Sequence, residues 1–350
     1  MKRFPARRAI FGVFAVSLLA AVAAAFLPDD PYQRFQQLDH TEYRNLRWIY
    51  ERLHFDPAPI DVAFLGASRT ASGVDTAQVA AALACRGAPA TLLNFAIPLN
   101  GRNLDWVLTR QLFETKTPKL IVIGVIEQPG RYGHEVYKYV ASRSEMAAPS
   151  PLSNVNYPRD LIYLPYRQLK LSAARLFPKQ FGLNANFTGE GLRSRATEPG
   201  YLRGPDGRWR QIYGQNPLAV LYSGVARSKR ITTKPVFPKS LAWLEFGPEY
   251  YYISEIAALA KVRGARIAFL FIPQFKSDGN IQAAAFYRTY GTLLDASFLS
   301  ADPSNYSSFG HLNEAGSARL SAWLATAIVP LLPPASQHSR VSSICEDHRR

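Results

Sequence analysis

Short, wholly apolar runs alternate with longer stretches whose apolar residues recur three and four positions apart, and this alternation organises most of the chain. The run 61–66 leads to a stretch at 75–84, where Asp75 offers an N-cap and Gln78 follows three residues on. The run 90–96 precedes 102–115, where Leu104, Val107, Leu108 and Leu112 share one helical face. The run 119–126 is apolar almost throughout, as a strand buried on both sides should be. After a break the pattern resumes with a helix over 248–263, opened by Pro248 and closed by Gly264. A strand over 266–273, a helix over 280–290 and a short strand near 293–296 follow. The last helix starts at Asn313 and turns Leu320, Trp323, Leu324, Ala327 and Ile328 inward. Five strands alternating with helices predict an α/β fold, a three-layer doubly wound parallel sheet. Right-handed crossovers leave few topologies, with the flavodoxin-like strand order as the default.

The break, about 128–246, is rich in Pro, Tyr, Arg and Gly and too long for a loop. It reads as a large insertion over the sheet's edge, with a turn at Gly204-Pro205-Asp206-Gly207. Residues 31–57 read as a helical lead-in carrying Leu46, Ile49, Tyr50 and Leu53 at helical spacing. The organisation expected is 1–30 as a signal-anchor or signal peptide, 31–57 as lead-in, 58–330 as the α/β domain with its insertion, and 331–350 as a disordered tail.

With 350 residues, 47% of them hydrophobic, the chain can bury a sizeable core. Residues 9–28 carry no charge; Lys2, Arg3, Arg7 and Arg8 precede them, and Asp29 and Asp30 follow. That asymmetry fits an inner-membrane anchor with the N-terminus in the cytoplasm. Ala23-Ala24-Ala25 leaves open a cleaved signal peptide. Either way the remaining chain is expected in the periplasm. The net charge is +15, and between Arg159 and Lys239 there are 15 Lys and Arg against 4 Asp and Glu. Outside the cytoplasm this argues against nucleic acid as a partner; anionic polysaccharide, lipid headgroups or simply a soluble basic surface remain. Cys85 and Cys345 could bridge in an export compartment, though nothing requires it. No Cys–His cluster suggests a metal site and no glycine loop suggests a nucleotide site, so no metal or cofactor is expected.

Two loops carry the candidate chemistry. In Asp61-Val62-Ala63-Phe64-Leu65-Gly66-Ala67-Ser68-Arg69-Thr70 a strand runs into a small-residue turn that lifts one serine to the carboxyl edge of the sheet. His311, in Phe309-Gly310-His311-Leu312-Asn313, lies in the loop after the last strand, at the same edge although 243 residues away. A serine needs a neighbouring base to become a nucleophile, and histidine is the usual one near neutral pH. The plain alternatives are an ordinary loop serine and a helix-capping histidine.

Gly66-Ala67-Ser68-Arg69 is similar to the first block of the SGNH/GDSL hydrolase superfamily, which carries the nucleophile. Asn94-Phe95-Ala96 through Asn100-Gly101 looks like its second block, and His311-Leu312-Asn313-Glu314-Ala315-Gly316 like its last. The resemblance covers roughly 58–127 and 246–328, and the nearest subset is the membrane-anchored or exported proteins associated with extracellular polysaccharide. It implies Ser68 as nucleophile, His311 as base, the N–H groups of Ser68 and Gly101 at the oxyanion, and Arg69 and Asn100 against the substrate. Two positions depart from the family pattern. The strand that should end in an oxyanion-donating asparagine ends in Glu127-Gln128, so either Gln128 donates or the donor is absent. The aspartate expected three residues before the histidine is Ser308, and the nearest acid upstream is Asp302.

The reaction these residues would support is ester hydrolysis or O-acyl transfer on an extracellular glycan, most plainly an O-acetyl group. Ser68 and His311 would act as a dyad, or as a triad with Asp302. The rival reading is a non-catalytic component of polysaccharide assembly or export that kept the fold and lost the reaction.

Overall fold

The computed structural model describes residues 5–148, 153–184, 186–187, 189, 217–231 and 234–334. The expected turn at Gly204–Gly207, Cys345 and the tail from residue 335 lie outside the described residues. Helices α1 (Pro5–Ala25), α2 (Pro31–Gln36) and α3 (Asn45–His54) come first. Then β1 (Val62–Leu65), α4 (Ser68–Gly73), α5 (Thr76–Ala84), β2 (Leu92–Asn94), α6 (Arg102–Thr115) and β3 (Leu120–Val125) follow. The insertion contributes α7 (Tyr137–Val140), α8 (Arg143–Ala147), α9 (Tyr157–Leu176), α10 (Pro178–Phe181), α11 (Leu218–Ile231) and α12 (Ala242–Glu245). The chain closes with α13 (Gly247–Val262), β4 (Arg266–Phe271), α14 (Ala284–Arg288), β5 (Thr292–Asp295), β6 (Tyr306–Ser308), β7 (His311–Leu312) and α15 (Glu314–Ile328).

β1 to β5 form one all-parallel sheet in the order β2-β1-β3-β4-β5, a flavodoxin-like order. Successive residues of each strand feed two separate cores. Ala63, Leu65, Ile121, Ile123, Phe269 and Phe271 pack with α3, α6 and α13 on one face. Val62, Phe64, Val122 and Leu270 pack with Val79 and Leu83 of α5 and Leu320, Leu324 and Ile328 of α15 on the other. The result is three layers, and every residue of β1 and β3 is buried.

Local chemistry sets the ends of these elements. Asp75 accepts from the N–H groups of Ala77 and Gln78 and starts α5. Asn313 accepts from Gly316 N–H and starts α15. The helix expected over 280–290 forms only from Ala284 to Arg288. The lead-in expected as one helical stretch is two helices, α2 and α3, which share the α6 core. The described part of the insertion is largely helical: α11 places Leu221 in the second core, while α9 packs against α1. No helix among the described residues is long and apolar enough to cross a membrane. α1 nevertheless exposes Ile10, Phe11, Phe14, Leu18 and Leu19.

Candidate active site

β1 ends in Gly66, whose φ of +131° is open to glycine and strained for other residues. A Cβ there would press on Thr70 Oγ1 and on the backbone of Gly124 at the end of β3. A Cβ on Gly124 would overlap Thr70 Oγ1 outright. Two glycines thus let β1, β3 and Thr70 converge under the turn that carries Ser68. Ser68 is the first residue of α4, a short helix that the sequence pattern does not signal. Asn94, at the end of β2, holds α4 in place: its amide donates to the carbonyls of Thr70 (3.1 Å) and Val74 (3.3 Å).

On the other side, β6 and β7 form a small antiparallel hairpin beyond the main sheet. Tyr306 Oη donates to Pro273 O (3.1 Å) and Phe275 N–H to Phe309 O (2.8 Å), which fastens the hairpin to the segment after β4. The hairpin brings His311 to Ser68, with Nε2 2.9 Å from Oγ. The other ring nitrogen, Nδ1, lies 2.9 Å from Ser308 Oγ. The arrangement is a serine–histidine–serine row.

Asp302 is not part of it. Its carboxylate accepts from Ser304 N–H (2.9 Å) and Ser304 Oγ (2.6 Å) and pairs with Arg319 (2.8 Å). Those contacts cap the turn that starts at Pro303. Both ring nitrogens of His311 are taken by hydroxyls, so the orienting role expected of Asp302 falls to Ser308. The reason is distance along the hairpin: Ser308 pairs across the ladder with His311, whereas Asp302 lies before the hairpin begins.

A hydroxyl in that place changes the electrostatics. A carboxylate would accept only, fixing the proton on Nδ1 and stabilising the imidazolium; a serine can donate or accept, so it neither fixes that proton nor supplies charge to the imidazolium. Burial, with Arg69 adding a nearby positive charge, holds His311 down at about 4, so the ring is neutral at pH 7. Neutral is the form a general base needs, but the imidazolium that follows proton transfer is poorly supported.

Arg69, expected against the substrate, is held inside the protein. Nη1 donates to Glu127 Oε2 (2.7 Å) and to Ile272 O (3.1 Å). Glu127 in turn accepts from Gln274 N–H (3.2 Å), so this acid joins the ends of β1, β3 and β4. Gln128 beside it borders a cleft of about 700 Å³, together with Glu127, Lys234, Lys239, Tyr250 and Phe286.

Gly101 caps α6 and is buried. A Cβ there would collide with the backbone of His134, a close approach that by itself demands glycine. The stretch between β2 and Gly101 is tied to the turn that carries Ser68 by Ile97 N–H to Gly66 O (2.9 Å), and Pro98 O lies 2.7 Å from His134 Nε2. Within it Leu99 has φ +69°, and the Asn100 amide nitrogen is buried with no acceptor.

Under both glycine turns runs a buried charge network. Arg102 donates to Glu249 (2.8 Å), Asp105 (2.7 Å) and Gly124 O (2.7 Å); Tyr287 Oη donates to Glu249 (2.8 Å). Asp105 also takes the N–H of Gly66. Burial raises the Asp105 carboxyl, against the pull of Arg102. These residues position the site from beneath. In the sequence they are scattered along α6, α13 and α14, and the periodicity of those helices reads only their apolar faces.

No group of three or more His, Cys, Asp or Glu residues among the described residues could hold a metal ion. Compared with protein-family models and with curated proteins, the chain matches none.

Proposed function

We propose that this protein is an SGNH-like acyl enzyme, an ester hydrolase or O-acyltransferase that acts on an extracytoplasmic glycan. The observation that carries the reading is the 2.9 Å contact from Ser68 Oγ to His311 Nε2 at the carboxyl edge of a parallel sheet. In the proposed reaction Ser68 Oγ attacks the acyl carbon and gives its proton to Nε2. The tetrahedral intermediate collapses, the leaving alkoxide takes that proton, and the acyl group stays on Ser68. Water or a sugar hydroxyl then attacks the acyl carbon, with His311 taking the proton and returning it to Ser68. Backbone N–H groups at Ser68 and Gly101 and the unsatisfied Asn100 amide are the donors proposed for the oxyanion and the substrate.

The cleft with Lys234, Lys239, Tyr250 and Phe286 is lined by neither Ser68 nor His311, and its only link to the site is Glu127, the partner of Arg69; its cations and aromatic faces would suit a more distant part of an acidic glycan. The apolar residues exposed on α1 support a protein held at a membrane, and the basic residues before that segment with Asp29 and Asp30 after it support a periplasmic α/β domain. One specific observation favours the rival, non-catalytic reading: His311 has a hydroxyl where a carboxylate would support its charged form.

The deciding experiment is turnover of a small aryl acetate by the full chain beside Ser68→Ala and His311→Ala. The acyl-enzyme reading expects both variants to lose activity and the serine to become acylated in the parent. Equal turnover in all three, or none in the parent towards either aryl acetate or acetylated glycan, would leave the non-catalytic role.

A further inference from the structure

Helix α9 buries Leu164, Leu171 and Ala174 together with three strongly polar side chains, and leaves a second apolar stripe outside. Arg167 and Gln168 are fully buried, and Asp160 nearly so. Arg167 donates to the carbonyls of Lys138 (3.0 Å) and Ala141 (2.6 Å). The outward face is apolar: Ile162 is 78% exposed, Tyr166 59%, Leu169 53% and Leu176 73%. Their spacing of four, three and seven residues puts them on one stripe. Val155 before the helix and Phe177 and Phe181 after it are exposed as well. A surface helix in water turns a polar face outward, because each exposed apolar side chain forfeits the transfer free energy that drives folding.

α9 packs against α1. The end of α1 is bolted to α9 and α8: Gln168 Nε2 donates to Leu27 O (2.7 Å), Ser172 Oγ to Pro28 O (2.8 Å) and Arg143 Nη1 to Phe26 O (2.6 Å). α1 is exposed and apolar around its circumference, from Ile10 to Val22. One apolar stripe suits a protein groove; an apolar stripe joined to a helix that is apolar all round suits hydrocarbon. Charge agrees. From 153 to 184 the basic residues are Arg159, Arg167, Lys170, Arg175 and Lys179, and the only acid is the buried Asp160. Arg159 and Arg175 are exposed near the two ends of the stripe, where anionic headgroups would meet them.

We infer that the Ile162–Tyr166–Leu169 face of α9 is a membrane-docking surface. It lies in the interfacial layer of an anionic bilayer beside α1, and so fixes the orientation of the whole α/β domain against the membrane. A helix lying in the interface has no need to cross, and the inference stands apart from any chemistry at Ser68.

The test places a nitroxide label at Ile162→Cys, Leu169→Cys and, as a water-exposed reference on α13, Val262→Cys. Each is made in the full chain, reconstituted in phosphatidylethanolamine–phosphatidylglycerol vesicles, with the unsubstituted chain correcting for native cysteines. Collision with oxygen reports lipid and collision with a nickel chelate reports water. The expected result is an oxygen-to-nickel ratio severalfold higher at 162 and 169 than at 262. Ratios equal at the three positions would overturn the proposal by showing that α9 faces water. An immobile label shielded from both reagents would overturn it in favour of protein covering the stripe, as a second copy or another segment of this chain. All three positions are exposed, so the substitutions do not threaten the fold.

Discussion

Ser308 decides how His311 behaves. At 2.9 Å from Nδ1 it fills the place of an orienting carboxylate without supplying charge. Ser308→Asp is therefore expected to raise turnover roughly 10-fold or more, a fraction of the ~10⁴ that a triad loses when its acid is neutralised. The same variant should move the acid limb of the pH–rate profile upward, because a carboxylate stabilises the imidazolium. In the parent that limb is expected near pH 4, far below the ordinary 6.5 of histidine, since burial and Arg69 keep the ring neutral. A limb at 6.5 in the parent would contradict the burial of this ring. The sign for stability follows from the same shift. Between about 6.5 and about 4 the unfolded chain binds the proton that native His311 refuses, so stability falls as pH falls through that window. His311→Asn should flatten this part of the stability–pH curve, measured by denaturant unfolding.

At the scale of elements, the site depends on how closely β1, β3 and α4 approach. Gly124→Ala would force Thr70 aside and is expected to cost about 1–3 kcal/mol, as overpacking does. Thr70→Ala in the same chain should recover part of the loss, measurable in urea unfolding as a non-additive pair. Beneath them, Arg102 is the only cation among the described residues that pairs with Asp105 and Glu249 in the buried network. Arg102→Met leaves two carboxyls without their partner and is expected to cost about 3–5 kcal/mol, enough to unfold many domains. Helices α6 and α13 were legible almost to the residue, because their apolar residues repeat at 3.6 and their ends carry glycine or proline. α9 was not legible as an element of the insertion. Its outward face is apolar too, and periodicity shows that a helix has two faces without saying which one the fold covers.

For the whole molecule, the insertion is more than a cover on the sheet edge. α11 lies against the β6–β7 hairpin, and a Cβ at Gly224 would press into Phe309, two residues before His311. Gly224→Val is expected to displace the hairpin and lower turnover with little change in stability, read as a drop in kcat at nearly constant unfolding midpoint. An unchanged kcat would show that α11 does not set the position of His311.

Alternation of apolar runs with 3.6-residue periodicity was enough by itself to specify a parallel α/β sheet. The rule that such sheets build sites at their carboxyl edge was enough to pair Ser68 with His311 across 243 residues. Both are consequences of local pattern and of a chirality that every sheet obeys. The partner of Nδ1, the captivity of Arg69 by Glu127, the buried Arg102 network and the outward apolar face of α9 were decided only by the tertiary structure. Each depends on which side chains meet from distant elements, and a side chain's chemistry names the bonds it can make but not the neighbour that will make them.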